Sequence, residues 1–320
     1  MKKKILVTYC VPEIVFEPYK DEFDITVPDR LLTRDDVLAC IGEYDGLFAL
    51  GQRLDKEMLD AAKNLKAAAN NGVGYDNFDV KEATKRGVAV INTPTAVTEA
   101  TAEHAATLAL AVMRGIVRYD KQVRAGGWER ERYPDHNSQI YGSTVGIVGF
   151  GRIGKRVCKK LQGFGMEVMY YDPYRAAPEV EEEYGVRYVE LDELIRTAEV
   201  ITLHMPYTPE NHHLINAETF DKMRKDAYLV NAARGAVVDE AALIEALREH
   251  KIKGAALDVF EHEPHPMPEL FELDNVILTP HIASAVYKTR IGMAKEAMEG
   301  LTKALRGEKP YNLVNPEIWS

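Results

Sequence analysis

The chain has 320 residues, of which 46% are hydrophobic and 28% are charged, and its formal net charge at pH 7 is −10. This length predicts two domains, and this composition is that of a soluble globular protein. The negative balance argues against nucleic acid and anionic membrane surfaces as partners, because both favour a basic protein face, and no apolar run reaches the roughly 18 residues of a membrane-spanning helix.

The first hundred residues alternate short apolar runs with polar, helix-patterned stretches such as DKEMLDAAKN. Runs of this length, bounded by turn residues, are typical of β-strands. The predicted strands are Ile5–Cys10, Asp24–Val27, Gly46–Leu50, Leu65–Ala68 and Val88–Ile91. A long helix follows, because the chain has neither proline nor glycine from Thr98 to Arg114.

A second series of apolar runs begins near Thr144. It consists of TVGIVGF, EVMYYD, EVITLH, AYLVNAA, GAALDVF and NVILTPH. These runs lack polar alternation, as expected for parallel strands covered on both faces. Strand–helix–strand order over this length predicts a doubly wound α/β sheet. The last segment, from about Lys288, is helix-patterned, and it is expected to return to the first unit.

A glycine-rich turn follows the first strand of the second series. Its sequence, GFGRIG, places Gly149, Gly151 and Gly154 at the spacing of a dinucleotide-binding loop. The first glycine permits a tight turn, the second lets the backbone approach a pyrophosphate, and the third lets helix and strand pack closely. Arg152 and Ile153 lie at the start of the following helix, where free N–H groups favour an anion.

Asp172 ends the next apolar run, EVMYYD. Dinucleotide-binding folds carry an acid for the ribose hydroxyls about 20 residues after the glycines. A 2′-phosphate would meet a like charge here, so the pattern predicts NAD rather than NADP. Arg175 lies close enough in sequence to leave NADP open, and a glycine-rich turn without a ligand is the alternative.

Polar residues end the late strands of the second series. AYLVNAARG ends in Arg234, GAALDVFEHEP contains Asp258 and Glu263, and NVILTPH ends in His281. Because the carboxyl ends of the strands line the ligand crevice of an open α/β sheet, these side chains are expected at the edge that holds the nucleotide.

Motifs along nearly the whole chain resemble the D-isomer-specific 2-hydroxyacid dehydrogenases, an NAD-dependent family. They are NGVGYDNFD (71–79), NTP (92–94), TAEH (101–104), GFGRIG (149–154), YYDPY (170–174), LHMPYTPENHHLIN (203–216), VNAARGAVVDEAALIEAL (230–247), ALDVFEHEP (256–264) and LTPHIAS (278–284). The resemblance implies a Rossmann NAD-binding domain inserted into a flavodoxin-like split catalytic domain. Residues 1–97 and 288–320 would form the substrate domain, and residues 98–287 the NAD-binding domain.

The resemblance gives roles to three of the strand-end residues. His281 is similar to the acid/base, Glu263 to its carboxylate partner and Arg234 to the substrate-binding arginine. The chemistry agrees, because reduction of a 2-oxo acid needs a hydride at C2 and a proton at the carbonyl oxygen, and histidine side chains change charge near neutral pH. A nearby carboxylate favours the protonated imidazole, and arginine offers a planar fork to the substrate carboxylate.

Further site residues follow from the resemblance alone. The loop at 72–74 would hold the substrate carboxylate through the N–H groups of Val73 and Gly74, unless it is merely a turn. Other cofactor contacts are expected at Thr98, Met205, Pro206, Asn211, Ala232, Ala233, Asp258 and Ser284. Thr98 as a helix cap and Asp258 as a structural residue stay open. No metal ligand is expected.

Histidines outside the proposed site receive no chemical role. His104 is interpreted as a packing residue or a subunit contact, and the run EHEPHP (261–266) as a solvated loop. His204, His212 and His213 have no convergent partners in the sequence. Three cysteines without a CxxC pair indicate a reducing cytoplasm.

The predicted function is NAD-dependent reduction of a small, unphosphorylated 2-oxo acid, such as glyoxylate, hydroxypyruvate or a branched acid, to the D-2-hydroxy acid. A D-3-phosphoglycerate dehydrogenase is one alternative, since Arg53 and Lys66 offer cations near the carboxylate loop. A non-catalytic NAD-sensing corepressor is another, because it shares the scaffold. The resemblance also implies a homodimer through the NAD-binding domain, with Trp128 either at the contact or packed within its own chain.

Overall fold

The computed structural model describes residues 2–128 and 135–319, and the chain divides into two compact units. The first unit is Met1–Val97 with Ala285–Ser320, and the second is Thr98–Ser284. The second unit therefore ends at 284 rather than at the expected 287. The difference arises because Val286 is the N-cap of the helix that follows, which packs in the first unit.

The first unit is a five-stranded parallel sheet in the order β2-β1-β3-β4-β5. Its strands are β1 (Lys3–Val7), β2 (Phe23–Thr26), β3 (Gly46–Ala49), β4 (Ala67–Asn70) and β5 (Ala89–Ile91). Its α-helices are α1 (Arg34–Cys40), α2 (Lys56–Ala61), α3 (Val80–Lys85) and α11 (Tyr287–Arg306). This strand order is that of flavodoxin-like folds, which confirms the predicted class.

Short polar side chains start the three small helices of this unit. The side chains of Thr33, Asp55 and Asp79 each accept a hydrogen bond from a backbone N–H in the first turn of α1, α2 and α3. Such caps satisfy donors that a helix start leaves free. They explain why helices begin at these positions although each spans only six or seven residues.

The sheet of the first unit is buried on both faces. Successive residues of β1 point to opposite sides, so that Ile5 and Val7 join one core and Leu6 joins the other. Helix α11 covers the first of these faces, where Met298 and Leu301 are buried. This is why the strands have continuous apolar runs rather than alternating ones.

The second unit is a seven-stranded parallel sheet in the order β12-β11-β10-β9-β6-β7-β8. Its strands are β6 (Thr144–Val148), β7 (Glu167–Tyr171), β8 (Arg187–Tyr188), β9 (Val200–Leu203), β10 (Tyr228–Asn231), β11 (Gly254–Leu257) and β12 (Val276–Leu278). Its α-helices are α4 (Thr98–Met113), α5 (Ile116–Arg124), α6 (Arg152–Gln162), α7 (Pro178–Tyr184), α8 (Leu191–Thr197), α9 (Ala217–Lys222) and α10 (Glu240–Arg248). The order from β8 to β11 is that of a Rossmann fold, with β12 added at the edge.

The predicted strands of the second series are all present, and one further strand was not predicted. Strand β8 has only two residues, neither of them fully buried, and therefore leaves no apolar run in the sequence. The predicted long helix corresponds to α4, which ends just before Gly115 at a φ of 60°. None of the helices in the described ranges is long and apolar enough to cross a membrane.

Candidate active site

The strand-end residues of the second unit lie on neighbouring strands. Strand β11 pairs with β10 on one side, Leu257 opposite Asn231, and with β12 on the other, Leu257 opposite Leu278. All three strands are parallel, so their carboxyl ends meet at one edge of the sheet. Polar residues lie within a few positions of these ends: Arg234 after β10, Asp258 and Glu263 after β11, and His281 after β12.

His281 and Glu263 form a hydrogen-bonded pair. Nδ1 of His281 lies 2.8 Å from Oε2 of Glu263, and Oε1 of Glu263 accepts from the N–H of Phe260 at 3.1 Å. The two side chains are 49% and 36% exposed, so a small molecule can reach them. Nε2 of His281 has no hydrogen-bond partner among the residues that the structure describes. This nitrogen is the one available to a substrate.

The electrostatics of the pair keep Glu263 charged. Burial raises the pKa of the Glu263 carboxyl, but the hydrogen bond and charge of His281, the N–H of Phe260 and the charge of Arg234 outweigh it, and the pKa is lowered. A carboxylate at Nδ1 stabilises a protonated imidazole and fixes the ring. Arg234 is half-buried and donates from Nη1 to the Ala233 carbonyl at 2.7 Å. The structure therefore places His281 and Arg234 close enough to Glu263 for the charges of both to lower its pKa.

Asp258 holds the turn that carries His281. Its Oδ1 accepts from the Thr279 hydroxyl at 2.6 Å and the Ile282 N–H at 2.9 Å, and its Oδ2 accepts from the Ala283 N–H at 2.9 Å. Its carbonyl accepts from the N–H of His281 at 2.9 Å. These bonds hold His281 at a φ of 51°, in the left-handed region that residues other than glycine seldom adopt.

The sequence leaves two interpretations of Asp258 open, a cofactor contact and a structural role at the strand end. The residue has no exposed surface, and its hydrogen bonds support the structural role, whereas its contact with a cofactor stays a prediction. His104 also has a polar role rather than mere packing, because its Nε2 lies 3.2 Å from both Thr279 Oγ1 and Asp258 Oδ1. Burial raises the pKa of the Asp258 carboxyl, but the hydrogen bonds from His104, Thr279 and two backbone N–H groups lower it overall.

Gly235 is a site residue that sequence reasoning missed. A Cβ at this position would lie 1.9 Å from the carbonyl carbon and oxygen of Phe260. The backbone after Arg234 therefore lies directly against the loop that carries Glu263, and only glycine permits this approach. The sequence shows only a glycine after an arginine, which does not reveal the contact.

The three glycines of the nucleotide loop differ in what surrounds them. Gly149 has a φ of 95°, and a Cβ there would lie 2.7 Å from the His204 carbonyl carbon. A Cβ at Gly154 would lie 2.2 Å from the Gly149 carbonyl oxygen. A Cβ at Gly151 would meet nothing within 4 Å. The protein's own packing therefore explains Gly149 and Gly154, whereas Gly151 keeps an open space next to the backbone.

Free N–H groups and a carboxylate flank this open space. Within the described residues, the backbone N–H groups of Gly151, Arg152 and Ile153, at the start of α6, donate to no acceptor. Asp172 is the first residue after β7, and its carboxylate accepts from the N–H of Phe150 at 2.8 Å. The Asp172 carboxylate is thus held against the glycine loop by this hydrogen bond, and the start of α6 offers backbone N–H groups to an anion.

Arg175 is engaged elsewhere. Its Nε and Nη2 donate to the two carboxylate oxygens of Glu181 at 2.8 and 2.9 Å, and its guanidinium lies 5.0 Å from the centroid of the Tyr188 ring. An arginine held in a bidentate pair must break that pair before it can bind a 2′-phosphate. The geometry around Asp172 thus favours NAD over NADP.

The other expected cofactor residues lie mostly after β9 and β10. Met205 and Pro206 follow β9, Ala232 and Ala233 follow β10, Thr98 is the first residue of α4, and Ser284 is the last residue of the unit. The Asn211 side chain closes its own loop, donating to the Pro206 carbonyl at 2.7 Å and accepting from the Thr208 N–H at 2.8 Å. Contacts of these residues with a cofactor stay predictions.

The loop at 72–74 lies between β4 and α3 of the first unit. The carbonyls of Val73 and Gly74 accept hydrogen bonds from the side chains of Asn92 and Asn70. The N–H groups of Val73 and Gly74 have no acceptor in the described part of the chain. Successive free N–H groups of this kind form a concavity that binds anions. Binding of a substrate carboxylate by this loop stays a prediction.

Known proteins resemble this chain along nearly its whole length. A family model described as D-isomer specific 2-hydroxyacid dehydrogenase, NAD binding domain, matches residues 106–283. A glyoxylate reductase of Thermococcus onnurineus (strain NA1) is 44% identical, over 99% of this chain and 97% of the relative. The structure of a glyoxylate reductase from Paecilomyes thermophila covers 99% of both chains, with a TM-score of 0.90 and 30% identity. A D-lactate dehydrogenase from Aquifex aeolicus, complexed with NAD and lactic acid, has a TM-score of 0.85 and 28% identity over 98% of this chain and 99% of that chain.

Proposed function

The chain belongs to the D-isomer-specific 2-hydroxyacid dehydrogenases, and on that premise we propose that it uses NADH to reduce a small, unphosphorylated 2-oxo acid to the D-2-hydroxy acid. The observation that carries the proposal is the 2.8 Å hydrogen bond between His281 Nδ1 and Glu263 Oε2, next to the charge of Arg234. An imidazole with one nitrogen held by a carboxylate and the other free is suited to general acid catalysis.

In this mechanism His281 donates a proton from Nε2 to the carbonyl oxygen as the substrate is reduced, and it takes the proton back in the reverse reaction. The charged Glu263 stabilises the imidazolium before the transfer and holds the ring in one orientation. Arg234 binds the substrate through its guanidinium, which suits a carboxylate and polarises a ketone. In the first unit, the free N–H groups of Val73 and Gly74 suit a carboxylate such as that of the substrate.

The residues of the second unit fit NAD. The open space at Gly151 and the free N–H groups of Arg152 and Ile153 suit a pyrophosphate, and Asp172 suits the ribose hydroxyls. When bound, the nicotinamide supplies the hydride that the reduction needs. The chain's own residues bind and orient the cofactor, and His281 holds the proton.

Two glycine variants separate cofactor binding from folding. Gly151→Ala is expected to leave the free energy of unfolding within about 0.5 kcal/mol of wild type and to weaken NADH binding, because its methyl group enters space that the protein does not fill. Gly154→Ala is expected to cost about 1–3 kcal/mol of stability, because its methyl group would collide with the Gly149 carbonyl. Urea unfolding and NADH fluorescence titration measure the two effects. Unchanged NADH affinity in Gly151→Ala would contradict the proposed role of the loop.

The experiment that tests the function is a substrate panel. Purified protein is mixed with NADH or NADPH and with glyoxylate, hydroxypyruvate, branched 2-oxo acids or 3-phosphohydroxypyruvate, and the loss of reduced cofactor is followed by absorbance. Turnover of an unphosphorylated acid, with higher kcat/KM for NADH, is the expected result. Preference for the phosphorylated acid would favour the phosphoglycerate dehydrogenase alternative, and NADH binding without any turnover would favour the corepressor alternative. A clear NADPH advantage would overturn the role of Asp172.

Two finer expectations are also proposals. A homodimer through the NAD-binding unit is supported by apolar side chains that α5 and its flank expose, with Trp128 70%, Ile116 57% and Val123 51% exposed. A light-scattering mass near the 35.9 kDa of one chain would count against it.

A cytoplasmic location is supported by three cysteines that are all free thiols, and cell fractionation tests it.

A further inference from the structure

Two histidines and a glutamate that the sequence left without a role come together in the second unit. His213 Nε2 lies 2.7 Å from Glu261 Oε1, although the two residues are 48 positions apart in the chain. The ring of His212 stacks on that of His213, with centroids 3.9 Å apart and an interplanar angle of 22°. One ligand atom from each of the three residues lies within 4.8 Å of those of the other two. The EHEPHP segment is therefore not wholly a solvated loop, because its first residue is paired.

The backbone conformation of His213 puts the two rings side by side. Consecutive side chains of an extended segment point in opposite directions. His213 has a φ of 51°, in the left-handed region, and its N–H donates to the Ala236 carbonyl at 2.9 Å. Residues other than glycine that adopt this conformation are uncommon and cluster at functional sites. The consequence here is that two neighbouring imidazoles face the same carboxylate.

Other groups orient the cluster from outside. Nδ1 of His213 lies 3.9 Å from Oδ2 of Asp239, which leaves Nε2 directed at Glu261. The N–H of Glu261 donates to the Glu240 carboxylate at 3.0 Å, and Oε2 of Glu261 accepts from the Glu240 N–H at 3.5 Å. A histidine that binds a metal usually has a carboxylate or carbonyl near its other nitrogen, and a carboxylate that binds a metal is itself hydrogen-bonded. Glu261 has the second feature, and Asp239 lies near the other nitrogen of His213, at 3.9 Å and therefore beyond direct hydrogen-bonding distance.

We propose that His212, His213 and Glu261 bind a divalent transition-metal ion of the zinc class. Two imidazoles and a carboxylate are ligands that zinc takes in proteins, at about 2.0–2.2 Å from each donor atom. Mg²⁺ and Ca²⁺ prefer sites made of oxygen alone. The His213 and Glu261 side chains are 31% and 18% exposed and His212 is exposed, so an ion can enter from solvent.

The site is distinct from the acid–base pair but adjacent to it in sequence. Glu261 precedes Glu263 by two residues, and the N–H of Phe260 donates to Glu263. An ion at the cluster ties the segment after β9 to the segment that carries Glu263. The expected consequence is a thermal midpoint that rises with metal concentration, because the ion binds the folded state. This inference is independent of the proposed reaction.

The test is a Zn²⁺ titration of metal-free protein against a chromophoric chelator. One Zn²⁺ per chain is expected, with no binding of Mg²⁺ at the same concentrations. His212→Ala and Glu261→Gln are each expected to weaken Zn²⁺ binding at least about 10-fold, the lower end of what lost supporting contacts cost a metal site. His265→Ala is the matched control, because His265 is exposed, lies in the same segment and is outside the cluster. His281→Asn is expected to keep the affinity, which separates this site from the acid–base pair.

Two results of the Zn²⁺ titrations would overturn the proposal. One is no measurable Zn²⁺ binding by the wild-type protein, and the other is equal Zn²⁺ affinity in wild type, His212→Ala and Glu261→Gln. His213→Asn provides a second variant that tolerates the left-handed backbone while removing a ligand, so a lost affinity is not confused with a lost fold. X-ray absorption of the Zn²⁺-loaded protein is expected to show two imidazole ligands, and a spectrum without imidazole would also contradict the assignment.

Discussion

Replacing His281 with asparagine is expected to lower kcat by roughly 10²- to 10⁴-fold, the range typical of a lost general acid, while NADH still binds. Asparagine is the better choice because His281 has a φ of 51°, which asparagine tolerates and alanine does not. Alanine should show the same loss of turnover with added backbone strain. Steady-state kinetics with the preferred 2-oxo acid measure the change, and fluorescence titration measures NADH affinity.

Two comparisons sharpen this prediction. Glu263→Gln keeps a hydrogen-bonding group at His281 but removes the charge that stabilises the imidazolium, so it should lower kcat by less than the histidine variant does. His265→Ala removes an exposed histidine of the same region and should leave kcat unchanged. Near-normal turnover in His281→Asn would contradict the proposed role of His281 as the general acid.

Replacing Asp258 with alanine is expected to lower the free energy of unfolding by about 1–3 kcal/mol. The carboxylate is fully buried and accepts from the buried N–H of Ala283, and a buried donor left without a partner costs about that amount. The N–H of Ile282 also loses its acceptor, but Ile282 is 40% exposed, so water can replace part of that bond. Turnover should fall as well, because the same bonds hold the turn at His281. Equilibrium unfolding in urea measures the loss of stability.

A surface acid supplies the control. Asp274 is 71% exposed, and within residues 2–128 and 135–319 its side chain makes only a 3.8 Å ion pair with Arg118, so Asp274→Ala should change stability by no more than about 0.5 kcal/mol. A change of similar size in Asp258→Ala would contradict the structural role of its carboxylate.

The same carboxylate predicts a pH dependence of stability. The pKa of Asp258 is lowered in the folded protein, so its contribution is fully present above the ordinary aspartate pKa and is lost as the pH falls through the folded-state pKa. Asp258→Asn cannot show that loss, so its stability should fall less steeply with acid than that of the wild type.

Much of the fold was predictable from the sequence, because parallel strands buried on both faces have continuous apolar runs. The strands from β6 to β12 were predicted in this way, apart from β8, whose two residues, Arg187–Tyr188, form no such run. The positions of Arg234 and His281 were also predictable, since the carboxyl ends of parallel strands meet at one edge of the sheet.

Contacts made by loops were not predictable. The segment after β11 turns back so that Phe260 lies against Gly235 and Glu261 reaches His213. No periodicity encodes such a path, because it depends on hydrogen bonds and close approaches between segments far apart in the chain. The burial of Asp258 was not predictable for a similar reason. An aspartate that follows a strand has the same sequence pattern whether its carboxylate faces solvent or accepts hydrogen bonds from a turn.

A crystal structure of the protein with NAD⁺ and oxamate, an unreactive mimic of a 2-oxo acid, tests the central claim most directly. We predict that Nε2 of His281 lies about 2.6–3.2 Å from the oxamate oxygen that corresponds to the ketone, with Nδ1 still on Glu263. Oxamate bound out of hydrogen-bonding reach of Nε2, or a His281 ring turned away from Glu263, would contradict the account.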